Sequence, residues 1–279
     1  MELSPLMTVP RNHLLMVLKC YFDGGNEADS QQYSVVTLAA FSGTVSPWEK
    51  FEIAWNKNLK AHGAPYLHTT DAVGLTGVFS KRNGWTETKV EKFIADCVGI
   101  IERCAAVKAG RKIVKNGIRP VTITVILSDF KKALEENPKL MTVEHLCATQ
   151  CVPTCVLYGR LIMGADQFQL FFDQGEPFYG HIHDRMTNKK SRADTLWKHV
   201  VHAGESNMRN VPALQAADVL AWSVNHYFEE NRARYNWQSR ILGVDRDGEV
   251  FNLDYLRQAN REAIERVASW KLPRRRPNR

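Results

Sequence analysis

Three aspartates stand where a charge is costly. Asp23 closes the apolar run Cys20-Tyr21-Phe22-Asp23, just before Gly24-Gly25, and Asp173 closes a second, Leu170-Phe171-Phe172-Asp173. Asp218 lies inside Ala213-Leu214-Gln215-Ala216-Ala217-Asp218-Val219-Leu220-Ala221-Trp222 and is the only formal charge between Arg209 and Glu229. An unpaired carboxylate buried in such a segment costs several kcal/mol, on the order of a domain's whole stability margin. It must meet an arginine or lysine, keep its proton, or share a cation with other acids. The strand pattern favours the cation, because chemistry in an open sheet gathers at the carboxyl ends of strands. If the strands ending at Asp23 and Asp173 are parallel neighbours, their carboxylates lie side by side. Converging carboxylates repel, and a hard divalent ion offsets the repulsion. Oxygen ligands select magnesium or manganese over zinc. Taken singly, strand-end Asp23 and Asp173 also read as turn or cap residues, Asp173 in Asp173-Gln174-Gly175; Asp218 is the stronger candidate.

A second tier surrounds these three. His68 and Asp71, in Leu67-His68-Thr69-Thr70-Asp71, are close enough in sequence to share one loop or helical face. A histidine beside a metal centre shuttles protons or meets the leaving group; equally, His68 caps a loop and Asp71 starts a helix. Gln215, one turn before Asp218, is placed to orient a ligand or a bound water. His181 and His183 look like a metal pair but diverge on a helix. The six cysteines contain no C-x-x-C pair, and Cys147, Cys151 and Cys155 recur every four residues, which makes a core stripe of one helix. No nucleophile motif supports a cysteine–histidine hydrolase.

The elements that must position these groups follow from periodicity. Residues 14–23 and 33–42 read as two strands joined by a short link, hence an antiparallel pair. Ser46-Pro47-Trp48-Glu49 spells a helix start, with Ser46 as cap and Glu49 closing a capping box. After an irregular stretch, an amphipathic helix is predicted over 86–109. A strand at 121–128, a helix at 142–163 containing Pro153, a strand at 167–173 and a helix at 177–190 come next. A strand at 195–203, an apolar helix opened by Pro212, a hairpin turning at Asp247-Gly248 and a helix over 253–270 complete the chain. The fold class is α/β: a mixed five-stranded sheet flanked by helices, with a helical insertion, 43–119, between the second and third strands. The core domain spans 14–230, the hairpin and last helix 231–270, and a basic tail 271–279.

Length and composition agree with a folded protein. The chain has 279 residues, 44% hydrophobic and 24% charged, and its formal net charge is +7. Five of those charges, Lys271, Arg274, Arg275, Arg276 and Arg279, fall in the tail; without them the balance is +2. The tail either meets a polyanion or is a solvated terminus. Lys108, Arg111, Lys112, Lys115 and Arg119 crowd one link and are candidate phosphate contacts, or simply a solvated turn. No secretory core and no membrane-length apolar run is read, so no membrane partner and a cytoplasmic location are expected.

The segments Tyr21-Phe22-Asp23-x-Gly25, Leu67-His68, Phe172-Asp173 and Leu214-Gln215-Ala216-Ala217-Asp218 resemble the domain-of-unknown-function 3800 family of the ribonuclease H-like superfamily. The resemblance spans residues 14 to about 230, and the order of elements is similar to that superfamily's. It implies a ribonuclease H-like fold, acidic residues binding Mg2+ or Mn2+, and nuclease activity on nucleic acid. Asp23 would bridge two ions, roughly 3.5–4 Å apart, with Asp173 and Asp218 completing the coordination. One departure stands out: the family usually carries Asp-Glu-Ser-Gly after the first strand, and here Gly24 follows Asp23. Glu144, Glu27 or Asp71 would then supply the missing acid. Alternatively, the chain is a catalytically inactive ribonuclease H-like module that binds nucleic acid, a partner protein or a second copy of itself.

Overall fold

The computed structural model describes residues 16–25, 33–109, 112–188 and 196–258. The basic tail, Glu27 and Arg111 lie outside them. Strands β1 (Val17–Gly25) and β2 (Val35–Thr44) are antiparallel neighbours, as the short link requires. The inserted segment then supplies α1 (Val45–His62), the short α2 (Thr69–Val73), α3 (Glu87–Cys104) and a small antiparallel pair, β3 (Val107–Ala109) with β4 (Lys112–Lys115). The sheet resumes with β5 (Arg119–Ile126), followed by α4 (Leu127–Glu136), α5 (Val143–Met163) and β6 (Gln167–Asp173). Next come α6 (Pro177–Thr187), β7 (Val200–Ser206), α7 (Pro212–Glu230), α8 (Asn236–Leu242) and β8 (Asp247–Phe251).

The main sheet runs β7-β6-β1-β2-β5-β8. It has six strands where the sequence predicts five. β6 is parallel to both β1 and β7, whereas β2 is antiparallel to β1 and β5. β1 and β2 lie in the middle with helices on both faces, which is why β2 is buried at nine of its ten positions. Leu18, Cys20 and Phe22 face α5, whose Cys147, Cys151 and Cys155 form the expected core stripe. Tyr21, Ala39 and Phe41 face α7 and the buried Trp48, Phe51 and Trp55 of α1. The insertion is thereby packed onto the sheet's second face.

Several boundaries differ from the sequence pattern, each for a local reason. β2 runs straight into α1 at Thr44, so the helix begins before Ser46 and no side chain caps it. α3 stops at Cys104 because Ala105 turns to extended backbone, and the basic stretch after it pairs as β3–β4. β7 begins only after a 3-10 turn, Trp197–His199. Asp247-Gly248 makes no hairpin turn; it opens β8, parallel to β5. Gly248 is needed there because a Cβ would collide with the backbone oxygen of Thr122.

Arg119 explains how β8 is fastened. Its guanidinium is 1% exposed and bonds the carboxylates of Asp245 and Asp247, with Nε to Asp247 Oδ2 at 2.9 Å, beneath the Tyr158 ring. The candidate phosphate contact is thus a buried structural cation, on the α5 face of the sheet and away from Asp23. A lysine ammonium cannot span both acids in this way. Arg119→Lys is expected to cost about 2 kcal/mol, read as a lower urea midpoint; an unchanged midpoint would show that the fork contributes nothing.

Candidate active site

Phe22 and Phe172 are register partners on parallel β1 and β6, so Asp23 and Asp173 follow at adjacent strand ends. Alternation puts both on the α7 face, beside Tyr21 and Phe171. Asp218 enters from α7, 7% exposed, and its Oδ2 accepts from the Thr69 backbone N–H at 2.6 Å and the Thr69 hydroxyl at 2.7 Å. Asp173 Oδ1 accepts from Met208 N–H at 2.7 Å. Asp23 is 4% exposed, and among the described residues none donates a hydrogen bond to its carboxylate.

These groups act on one another electrostatically. Burial pushes Asp23 well above the usual carboxylate range, and Glu176, Asp218 and Asp173 push it further, in that order. Burial also raises Asp218, against the pull of His68 and the two Thr69 bonds, with Asp173 adding to the rise. For His68 the balance reverses: burial lowers it, but Asp218, Asp71 and Asp173 outweigh that and leave the imidazole easier to protonate than usual. His68 Nδ1 donates to Asp71 Oδ2 at 3.0 Å. Asp23, Asp173, Asp218, His68 and Asp71 therefore belong to one cluster, and among the described residues no lysine or arginine is paired with its three core aspartates.

Glu176 was not singled out by the sequence, yet it is the charge that weighs most on Asp23. It immediately precedes α6 and reaches back to the end of β1. A Cβ at residue 24 would collide with the Glu176 carboxylate and the Phe178 ring. The departure at Gly24 is therefore accommodated: the side chain absent from β1 makes room for an acid from the β6–α6 turn. The only signal in the sequence was an acid three residues past Asp173 and just before Pro177. Glu144 does not play this part; it stands in the first turn of α5, on the other face of the sheet, near Cys147.

Gln215 has a different role from the one expected. Its Oε1 accepts from Leu67 N–H at 3.0 Å and from Trp55 Nε1–H at 2.8 Å, and its Nε2 donates to the Met208 carbonyl at 2.9 Å. Both acceptor sites of its oxygen and one N–H are engaged within the protein, so it ties Leu67, Trp55 and Met208 together. With Asp218 one turn later it clasps Leu67–Thr69, and through Met208 it fixes the donor to Asp173. Of the basic stretch, Lys115 bonds the Arg103 carbonyl, and only the backbone of Lys108 and Lys112 is described. His181 stacks on His145 at 4.8 Å, away from His183.

The donor chemistry fits a hard divalent cation: carboxylate oxygens, no thiolate and a single imidazole. As placed, no three histidine, cysteine, aspartate or glutamate side chains among the described residues close around one ion.

No family model and no curated protein matches the chain. Among solved structures it is similar to a chain from the complex of PCNA with RNase HII of Archaeoglobus fulgidus, at 11% identity and a TM-score of 0.39, over 95% of this chain and 97% of that one. At that score the likeness carries no weight for fold or activity.

Proposed function

We propose that the protein is a ribonuclease H-like, divalent-metal-dependent nuclease. The observation that carries this reading is Asp23, a deeply buried carboxylate that has no donor among the described residues and feels the charges of Glu176, Asp218 and Asp173. The motif resemblance and the strand order point the same way. Asp23, Asp173, Asp218 and Glu176 would hold Mg2+ or Mn2+, which when bound activates water and stabilises the leaving oxygen of a phosphodiester. The chain's own residues do the rest. Asp71 occupies His68 Nδ1 and so orients the ring, leaving Nε2 to exchange a proton with the leaving oxygen. Thr69 holds Asp218, and Met208 holds Asp173, so neither carboxylate is free to rotate away.

The test is cleavage of labelled single-stranded, duplex and hybrid substrates with magnesium, manganese or chelator. Wild type should cleave at least one with metal, and Asp23→Asn and Asp173→Asn should lose on the order of a hundredfold or more. Cleavage that survives in both variants would remove the reading. The spacing of the acids favours one alternative, a non-cleaving module that binds nucleic acid or a partner protein. Manganese calorimetry separates the two: binding lost in Asp218→Asn supports the nuclease, and no binding in wild type or variant supports the module.

A further inference from the structure

Of the expected phosphate contacts whose side chains are described, Arg119 is buried and Lys115 bonds the Arg103 carbonyl, so both serve structure. An anionic cluster facing an anionic substrate still needs a cation at its rim. One exposed arginine meets that need. Arg209 directly follows Met208, whose amide holds Asp173, and its guanidinium lies over the Tyr66 ring at 5.1 Å. Tyr66 directly precedes Leu67 and His68, and its ring is backed edge-on by the buried Phe79 at 6.3 Å. The two walls that carry this pair are tied by one group, since the Gln215 amide bonds both Leu67 N–H and the Met208 carbonyl. Among the described residues no carboxylate is ion-paired with Arg209.

We infer that Arg209, seated on Tyr66, is the substrate-phosphate contact of this site. The inference rests on the nucleic-acid reading above and assigns its backbone recognition. The chemistry suits arginine in particular: a planar guanidinium stacks on an aromatic face while its N–H edges remain free to grip two phosphate oxygens. The ring fixes the cation one residue beyond the atoms that position Asp173 and His68. A phosphate held there sits beside the carboxylates without entering them.

The experiment is fluorescence anisotropy of a labelled single-stranded RNA and a labelled duplex DNA with full-length protein in chelator, across a salt series. Each phosphate contact adds close to one unit to the slope of log affinity against log salt. Arg209→Ala should weaken binding about tenfold and lower the slope by about one, while Arg209→Lys keeps the slope and loses part of the affinity. Tyr66→Phe should bind like wild type, and Tyr66→Ala should fall between the two arginine variants. If wild type binds and Arg209→Ala matches it in affinity and slope, this inference fails and the nuclease reading stands. No binding by wild type to either probe also overturns it, leaving the metal-dependent cleavage assay to judge the nuclease reading. Binding with the expected loss of slope, but without cleavage in manganese, keeps this inference and removes the nuclease.

Discussion

Asp23→Asn is expected to make the metal-free protein more stable at neutral pH while abolishing manganese binding. An ordinary aspartate titrates near 3.8, and in the fold Asp23 keeps its proton to higher pH because burial and three acids oppose its charge. Between those two values the folded state binds more protons than the unfolded one, so stability falls as pH rises. The favourable condition is complete below the ordinary value and is lost by the time pH passes the folded value. Asparagine never ionises and escapes this loss. The gain should be about 1–3 kcal/mol at neutral pH and vanish in acid, or several degrees in melting temperature. Manganese at a hundred times its dissociation constant should add about 2.7 kcal/mol to wild type and nothing to the variant. Melting curves across pH, with and without manganese, check both halves. A less stable Asp23→Asn that still gains from manganese would contradict the site.

Gln215→Ala should be the most damaging polar substitution away from the acids. It strands the Leu67 amide and the Trp55 indole N–H and removes one of the two donors to the Met208 carbonyl, which keeps the Val211 N–H. A buried group left without its partner costs about 1–3 kcal/mol, so a total of about 3–5 kcal/mol is expected. Hydrogen exchange provides the specific readout: the Leu67 amide, protected in wild type, should exchange far faster in the variant. Gln215→Glu keeps the acceptor and loses the donor, so it should spare Leu67 and loosen Met208. Unchanged protection at Leu67 in Gln215→Ala would show that the clasp does not hold the insertion.

How much of this was legible in the sequence depends on whether the cause was local. β6 is the strand 167–173 expected from its apolar run, and Asp173 ends it. Asp218 declared itself as a charge in an apolar helix, and that helix is buried at its first fourteen positions. Partners distant in the chain stayed hidden. Arg119 looked like one more cation of a basic link, because the acids that neutralise it lie 126 and 128 residues away. Asp247-Gly248 has the chemistry of a turn, and only the approach of Thr122 shows why a strand needs that glycine. Gln215 displayed its spacing to Asp218 but not its three partners. Glu176 sat in a turn where an acid is unremarkable, and the room left by Gly24 is a property of the fold.

The clasp on Leu67–Thr69 joins positions 148 and 149 residues apart. Contacts of such separation form late, after much of the loop entropy has been paid. A nascent polypeptide emerging from the ribosome exposes Asp23 and His68 long before Gln215 and Asp218 are synthesised. Until α7 follows, β1 and β6 can set Asp23 beside Asp173, but the Gln215 and Asp218 bonds that hold Leu67–Thr69, and His68 with them, are missing. Completion of synthesis thus acts as a timer on assembly, and truncated translation products that end before Pro212 should be inert toward manganese and oligonucleotide alike.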